Sequence, residues 1–347
     1  MAIPDTYQAY RRTTGKPPLK IIKVTETTPK DLGVRDVLIR IHAVSLNYRD
    51  LATLTGRYPF PLEEGGIVAS DCAAEVVAVG PAVNDFKIGD RVAPIFDLEN
   101  LNGDNDETRG LGGEVAGVLR QFALFDEKHL VRLPENLSWE EASTIACAGV
   151  TAWNALNVPA HANRNKTALL QGTGGVSMFA LLICLGAGIR PIITSSSDDK
   201  LRAVSKLAPE GSIGTINYRT HPDTAAEVKR LTEGRGVDII VNNAGPSSLP
   251  LDFESIRRRG TISLVGGLSG LDSPDFNFFL SVIFKTAKVH GVAVGSKVDF
   301  QDLNDFIADK DVRIAPAIDR VFGFEDAEAA FQYLSLGKHV GKVVIKM

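Results

Sequence analysis

The sequence predicts a two-part α/β protein. A doubly wound, parallel-sheet unit is expected at about residues 139–295, set into a mostly-β unit made of residues 1–138 and completed by 296–347. Three observations carry this. The run Thr167-Ala168-Leu169-Leu170-Gln171-Gly172-Thr173-Gly174-Gly175-Val176-Ser177 reads as a short apolar strand, a glycine turn and the start of an apolar helix reaching about Ala187. Strand-like and helix-like stretches then alternate as far as about Val294, which implies parallel strands joined by right-handed crossovers. Before Ser138 the pattern changes to short alternating strands punctuated by glycine and proline.

In order along the chain, Val37–Val44 sets Ile39 and Ile41 against Arg40 and His42, the alternation of a half-buried strand. Cys72–Val79, Arg91–Phe96, Gln121–Phe125 and Leu130–Leu133 add strands, while the polar, acidic stretch Asn100–Gly113 reads as an exposed loop. One helix is expected over about Trp139–Asn157, with Ser138 as its N-cap and Glu141 completing a capping box. After the glycine turn, strands are expected at Arg190–Thr194, Gly214–Asn217, Val237–Asn242, Thr261–Val265 and Val289–Val294. Helices are expected to open at Asp198 and to lie at Thr224–Leu231, Phe253–Arg258 and Asn277–Thr286, with a further one near Asp302–Ile307. Pro191 is tolerable only near the start of its strand, because it cannot donate to a sheet ladder.

The glycine turn points to a ligand. A dinucleotide's pyrophosphate needs a tight turn, no side chain where backbone meets phosphate, and a helix N-terminus offering free N–H groups. The match is imperfect, since the third glycine of the usual fingerprint falls at Ser177. An ordinary glycine-rich strand–helix turn is the alternative for that fragment in isolation.

Composition narrows the classes. The chain has 347 residues, 44% of them hydrophobic and 23% charged, with a net charge of −4 and no long basic block. Nucleic acid and anionic membranes are therefore not expected as partners. The longest apolar run, Val176–Ile189, is shorter than the roughly 20 residues that span a bilayer. Met1–Tyr7 shows no basic segment leading into an apolar core, so no signal peptide is expected. Cys72, Cys147 and Cys184 are odd in number and widely spaced, which suits a reducing compartment and a cytoplasmic location.

Beyond these patterns the sequence resembles the medium-chain dehydrogenase/reductase superfamily over nearly its whole length. The matching pieces are "NYRD" at Asn47–Asp50, "AVG" at Ala78–Gly80, "GDRV" at Gly89–Val92, "GVTAW" at Gly149–Trp153, the glycine turn, "INYR" at Ile216–Arg219 and "HVGKVVI" at His339–Ile345. The resemblance implies a GroES-like catalytic domain, an inserted Rossmann dinucleotide domain, and substrate bound in the cleft between them. It also implies a homodimer or homotetramer acting on a small molecule.

Within that resemblance the zinc ligands are missing. Asn47 stands where the family's first catalytic cysteine would be, and Ser70-Asp71 where a histidine–glutamate pair would be. No Cys-x-x-Cys occurs, and the six histidines show no ligand spacing. This resembles the zinc-independent, quinone oxidoreductase-like branch, so no metal is expected. The chemistry agrees. A simple carbonyl concentrates charge on one oxygen and benefits from a Lewis acid, whereas a quinone or α,β-unsaturated carbonyl spreads it, so hydrogen-bond donors can suffice. Zinc-free reduction of a ketone or aldehyde, alcohol oxidation, and a non-catalytic cofactor-binding protein are the alternatives.

The expected catalytic residues are Tyr48, as the donor that polarises substrate, and Asn47. Tyr48 reads equally as a packed loop aromatic, and Tyr58 is a further candidate donor. Arg49 is expected to brace the loop by pairing with Asp50. The resemblance places Asn47 beside the nicotinamide and ribose, and Tyr48 and Thr151 are expected at the same end of the cleft, Thr151 having the alternative of bonding back into its own helix turn. Cofactor binding is assigned to Asn47, Thr151, Gly172, Thr173, Gly174, Gly175 and Val176, and by resemblance to Asn243, Gly266, Val294 and Lys342.

The expected cofactor is NADP(H). An NAD site places an acid at the end of the second strand, roughly 20 residues past the first glycine. Here that strand ends in Ser195-Ser196-Ser197, with Lys200 one turn into the next helix and Tyr218 after the third strand. Ser195, Ser196, Lys200 and Tyr218 are therefore assigned to a 2′-phosphate. Asp198 or Asp199 as the ribose acid is the competing reading, although acids in a first helical turn are favoured by the helix dipole alone.

Overall fold

The structure, a computed structural model, describes residues 3–162, 165–272 and 274–347. The chain opens with an antiparallel ribbon of β1 (Thr6–Arg12) and β2 (Ile21–Thr27) that sequence reading had not anticipated. In β2 only Ile21 is buried, while Ile22, Lys23, Thr25 and Thr27 are exposed, so no apolar face announces it. Next come β3 (Asp36–Leu46), α1 (Tyr48–Thr55), β4 (Asp71–Val79), β5 (Arg91–Pro94), β6 (Phe122–Asp126), β7 (Leu130–Arg132) and α2 (Trp139–Ala142).

The expected single helix over Trp139–Asn157 is broken. The capping box is present, with Glu141 N–H donating to Ser138 Oγ at 3.1 Å and Ser138 N–H to the Glu141 carboxylate at 2.9 Å. Yet α2 stops after Ala142, because the Ser143 and Thr144 hydroxyls bond back to the Glu140 and Glu141 carbonyls at 2.8 and 2.7 Å. A π turn, Ile145–Gly149, follows before α3 (Val150–Leu156).

From there the chain runs through α4 (Val158–His161), β8 (Thr167–Leu170), α5 (Gly175–Ala187), β9 (Arg190–Ser195), α6 (Asp198–Ser205), β10 (Gly214–Asn217), α7 (Thr224–Leu231) and β11 (Val237–Asn242). It continues with α8 (Leu249–Ser255), β12 (Ile256–Leu264), α9 (Phe278–Lys285) and β13 (Lys288–Gly291). The final part holds α10 (Lys297–Asp309), β14 (Ile318–Gly323), α11 (Ala327–Ser335) and β15 (Lys342–Lys346). The helix expected at Phe253–Arg258 is a correction: α8 starts at Leu249, with Pro250 in the first turn where its fixed φ and missing N–H cost nothing, and Ile256 already begins β12.

Two compact units result. The first takes the chain to Val150 together with Gly295–Asp309 and Ile318–Met347; the second is Thr151–Val294 with Lys310–Ala317. The division lies after Val150 instead of at 138, because α2 packs on β3, β4 and β15 of the first unit.

In the first unit β3 is the central strand, pairing antiparallel with β15, β4 and β6, and the sheet runs β14-β15-β3-β4-β5-β7. Ile39, Ile41, Ala43 and Val44 are buried on it. In the second unit every strand pair is parallel and the order is β10-β9-β8-β11-β12-β13, the doubly wound order in which loops at the strands' C-terminal ends form the ligand face. Pro191 pairs with Ala168 of β8 but precedes the stretch of β9 that pairs with β10, so its missing donor interrupts nothing there. Leu169, Ile192, Ile216, Ile240 and Phe253 form the apolar core around this sheet.

The opposite end of the second unit is tied by Asp238, whose buried carboxylate accepts from Thr167 N–H at 3.0 Å, Lys166 at 3.1 Å and Arg235 at 2.8 Å. Burial alone would raise its carboxyl, but hydrogen bonds from Arg257, Thr167 and Lys166 outweigh it and hold the group at about 2.

Candidate active site

In the second unit β8 delivers the chain into the glycine turn. Gly172 has φ +79°, a left-handed value that favours glycine, and its N–H donates to Thr194 Oγ1 at 3.2 Å. Gly174 is the N-cap of α5 and offers no side chain to the helix's first N–H groups. A Cβ on Gly172 or Gly174 would meet no heavy atom within 4 Å, so both glycines border open space beside uncapped donors. The turn, with Thr173, Gly175 and Val176, fits a pyrophosphate.

Ser177 explains how the turn manages without its third glycine. Its buried hydroxyl donates to the Gln171 carbonyl at 2.7 Å and accepts from Asn243 Nδ2 at 3.0 Å, closing the start of α5 against the end of β11. The Asn243 amide is thus committed to shaping the turn. Gly266 follows β12 and donates its N–H to the Asn242 carbonyl at 3.3 Å. Val294 has φ +66° and accepts at its carbonyl from Asn154 Nδ2 at 3.2 Å. Thr151 is buried on α3, and its hydroxyl makes no hydrogen bond among the described residues, so it does not bond back into its own turn.

At the ends of β9 and β10 the structure brings together Ser195, Ser196, Ser197, Asn217 and Tyr218. Tyr218 N–H donates to the Ser195 carbonyl at 3.1 Å, and Ser197 N–H to Ser195 Oγ at 3.2 Å. Ser197 caps α6, whose first turn carries Lys200. The competing acids lie beside the same cluster: Asp198 accepts from Asn217 Nδ2 at 2.7 Å, and the exposed Asp199 pairs with Arg202 one turn on. Tyr218 is exposed.

In the first unit β3 ends at Leu46, and Asn47 turns the chain into α1. Asn47 N–H donates to the Asp50 carboxylate at 2.7 Å. Nδ2 donates to Asp71 Oδ2 at 3.0 Å, and Oδ1 accepts from the Lys342 ammonium. Lys342 also donates to the Leu46 carbonyl at 2.8 Å and lies 3.6 Å from Asp71 Oδ2. Lys342, Asp71 and Asp50 are all buried. Burial raises the Asp71 carboxyl to about 6 against the opposing pull of Lys342 and Asn47. Burial, then the negative charge of Asp71, pushes the Cys147 thiol up, so it is held as the neutral thiol.

Tyr48 begins α1 with 42% of its surface exposed, and its hydroxyl makes no hydrogen bond among the described residues. The Arg57 guanidinium lies over its ring at 5.6 Å. Arg49 braces the loop, but not through Asp50 as expected. It donates to the Leu111 carbonyl at 2.6 Å and to Glu114 at 3.1 Å, between the rings of Tyr58 and Phe96. Tyr58 donates its own proton to Glu114 at 2.8 Å, so it is not a free donor.

Sequence reading missed the roles of Asp71 and Gln171. The signal for Asp71 was its place in Ser70-Asp71, at the position of a metal-binding pair; Gln171 had none beyond adjoining the first glycine. Among the described residues no group of three or more histidines, cysteines, aspartates or glutamates could hold a metal ion.

Over residues 33–135 the chain matches the family described as "Alcohol dehydrogenase GroES-like domain", and over 175–309 that described as "Zinc-binding dehydrogenase". It is 36% identical over 326 residues to a zinc-type alcohol dehydrogenase-like protein of Schizosaccharomyces pombe, covering 92% of this chain and 93% of that one. Identity to a quinone oxidoreductase of Pseudomonas aeruginosa is 26% over 337 residues, covering 94% and 95%. A solved structure from Sinorhizobium meliloti, described as an alcohol dehydrogenase, matches with a TM-score of 0.90 at 32% identity over 100% of both chains.

Proposed function

The chain belongs to the medium-chain dehydrogenase/reductase superfamily, and from that premise we propose that it is a zinc-independent, NADPH-dependent oxidoreductase that reduces a quinone or an α,β-unsaturated carbonyl. The observation that carries this reading is the Asn47–Asp71–Lys342 network. A zinc ion needs several lone pairs from cysteine, histidine or carboxylate around one point. Here the Asn47 amide is bonded at both ends, Asp71 is shared with an ammonium group, and that ammonium would repel a dication in a medium that screens charge poorly. These donors do not fit zinc.

The glycine turn, the uncapped start of α5 and the hydroxyl-rich end of β9 would hold the dinucleotide, which when bound supplies hydride. Ser195, Ser196, Lys200 and Tyr218 are the groups we assign to a 2′-phosphate, and the serines that stand at the end of β9, where an NAD site carries an acid, support NADP(H) over NAD(H). Reduction of a conjugated acceptor builds diffuse negative charge, and the Tyr48 hydroxyl is the donor we assign to it. Asn47, pinned by Lys342 and Asp71, fixes the start of α1 and with it the Tyr48 backbone. The final proton comes from solvent.

Among the described residues no helix is long and apolar enough to cross a membrane, and all three cysteines are free thiols, which fits the cytoplasmic placement we propose. Turnover of NADPH with a quinone, an enone and a simple ketone in parallel tests the reading. Oxidation with the conjugated acceptors is expected; turnover confined to simple ketones or alcohols would replace it with zinc-free carbonyl chemistry, and no turnover with any would leave a binding protein.

A further inference from the structure

Directly behind the glycine turn lies a buried carboxylate that none of the chemistry above uses. Asp252, on α8, accepts at Oδ1 from Gln171 Nε2 at 2.7 Å, and at Oδ2 from Asn242 Nδ2 at 2.6 Å and Ser248 Oγ at 3.2 Å. Gln171 Nε2 also reaches Ser248 Oγ at 3.2 Å, and Gln171 Oε1 accepts from Ala244 N–H at 3.1 Å. The Gln171 side chain therefore bridges Asp252 to the loop after β11, while its backbone carbonyl takes the Ser177 hydroxyl of α5. Asn242 completes the arrangement, its Oδ1 accepting from Gly245 N–H at 2.8 Å. Gly245 has φ +102°, and a Cβ there would lie 2.8 Å from Gly267 Cα, so this loop has little freedom to move aside.

We propose that Asp252 is a positioning residue for the dinucleotide: its carboxylate, acting through Gln171, holds the glycine turn in its binding geometry, and protonation of Asp252 loosens that hold. The inference rests on the reading that this turn binds a nicotinamide dinucleotide. Two amide donors converge on the carboxylate, one on each oxygen, and neither can accept a proton in return. A carboxylic acid has the Ser248 hydroxyl to donate to, but it accepts from the two amides more weakly than the anion does, so the anion holds the clamp best.

The charges on elements packed against α8 do not set this balance. α7 carries Glu227, Lys229 and Arg230, β12 carries Arg257, Arg258 and Arg259, α9 carries Lys285, and α8 itself carries Glu254. What acts on Asp252 is burial first, raising its carboxyl to about 7, and then the opposing hydrogen bonds from Asn242, Ser248 and Gln171. A carboxyl raised from 3.8 to about 7 works against the fold. Between those values the folded state binds a proton that the unfolded state has released, so stability falls as pH rises through that window. A merely structural residue would not be expected to cost stability at the pH where it makes its bonds; a positioning residue can.

The test is calorimetric titration of the full-length protein with NADPH between about pH 6 and 8.5, in buffers of different ionisation enthalpy. The unmodified protein should bind more weakly as pH falls through 7 and should release protons on binding near pH 7, because the clamped state favours the anion. Asp252→Asn should bind at pH 8 about fivefold or more weakly, release fewer protons, and melt no lower than the unmodified protein at that pH. The 2′-phosphate also titrates near pH 6, so the comparison is between variants with one nucleotide. Gln171→Leu keeps Asp252 but cuts its link to the turn, and should likewise weaken binding and lose the proton release; it carries the test if Asp252→Asn does not fold. Unchanged proton release in Asp252→Asn, or unmodified binding in Gln171→Leu, would overturn the assignment while leaving the dinucleotide reading intact. Failure of the unmodified protein to bind NADPH or NADH at any pH would overturn both.

Discussion

Asn47 shows what a single residue can do where two roles compete. Its backbone starts α1 and its amide joins Lys342 to Asp71, so it organises the site without offering a free group. That leaves Tyr48, whose hydroxyl makes no hydrogen bond among the described residues, as the donor to test. Tyr48→Phe should lower kcat by about 10²–10³-fold, the usual loss for one donor to developing charge, while NADPH affinity stays as it was. An unchanged kcat would remove Tyr48 from the chemistry. In the second unit, losing one charged phosphate contact costs about 1.5–3 kcal/mol, or roughly ten- to more than a hundredfold. Lys200→Ala should weaken NADPH by that factor and barely change NADH; tighter NADH than NADPH binding in the unmodified protein would reject the assignment. Position alone marked Asn47, the glycines and Ser195 as candidates. Partnerships were not: Asn47 is 24 residues from Asp71 and 295 from Lys342, and Gln171 is 81 from Asp252. No local pattern encodes a hydrogen bond over such separations.

At the scale of elements, β10, α7 and β11 lie where hydrophobic period and caps predict, because each has a clean signal: Asp223 caps α7, and Val237–Asn242 is buried throughout. The broken helix after Ser138 was hidden because its break comes from Ser143 and Thr144 competing for carbonyls, a choice that capping rules do not see. β8 and β11 are fastened at their starts by Asp238. Its carboxyl is depressed, so its contribution is present above the ordinary carboxylate range and is lost as pH falls from about 4 toward 2. Asp238→Ala leaves Lys166, Arg235 and Arg257 without their shared acceptor and should destabilise the protein by about 3 kcal/mol. Denaturant unfolding at neutral pH checks this; a loss below about 1 kcal/mol would reduce the cluster to surface pairs.

At the scale of the whole molecule, the two-unit plan was readable from the switch in hydrophobic period, while the ribbon of β1 and β2 was not, because β2 turns polar residues outward. The dimer or tetramer we expect has a candidate contact in α9, where Phe279 and Phe284 are 71% and 70% exposed. Phe279→Glu with Phe284→Glu should reduce the mass in solution toward that of one chain, as light scattering would show; a monomeric unmodified protein would contradict the expectation. The Asn47–Asp71–Lys342 network belongs, on the function we propose, to an enzyme that works without zinc. Elemental analysis of protein purified without added metal, coupled to NADPH oxidation with a quinone before and after chelation, tests it most directly. We predict far less than one zinc per chain and turnover that survives chelation; one zinc per chain, lost together with activity, would contradict it.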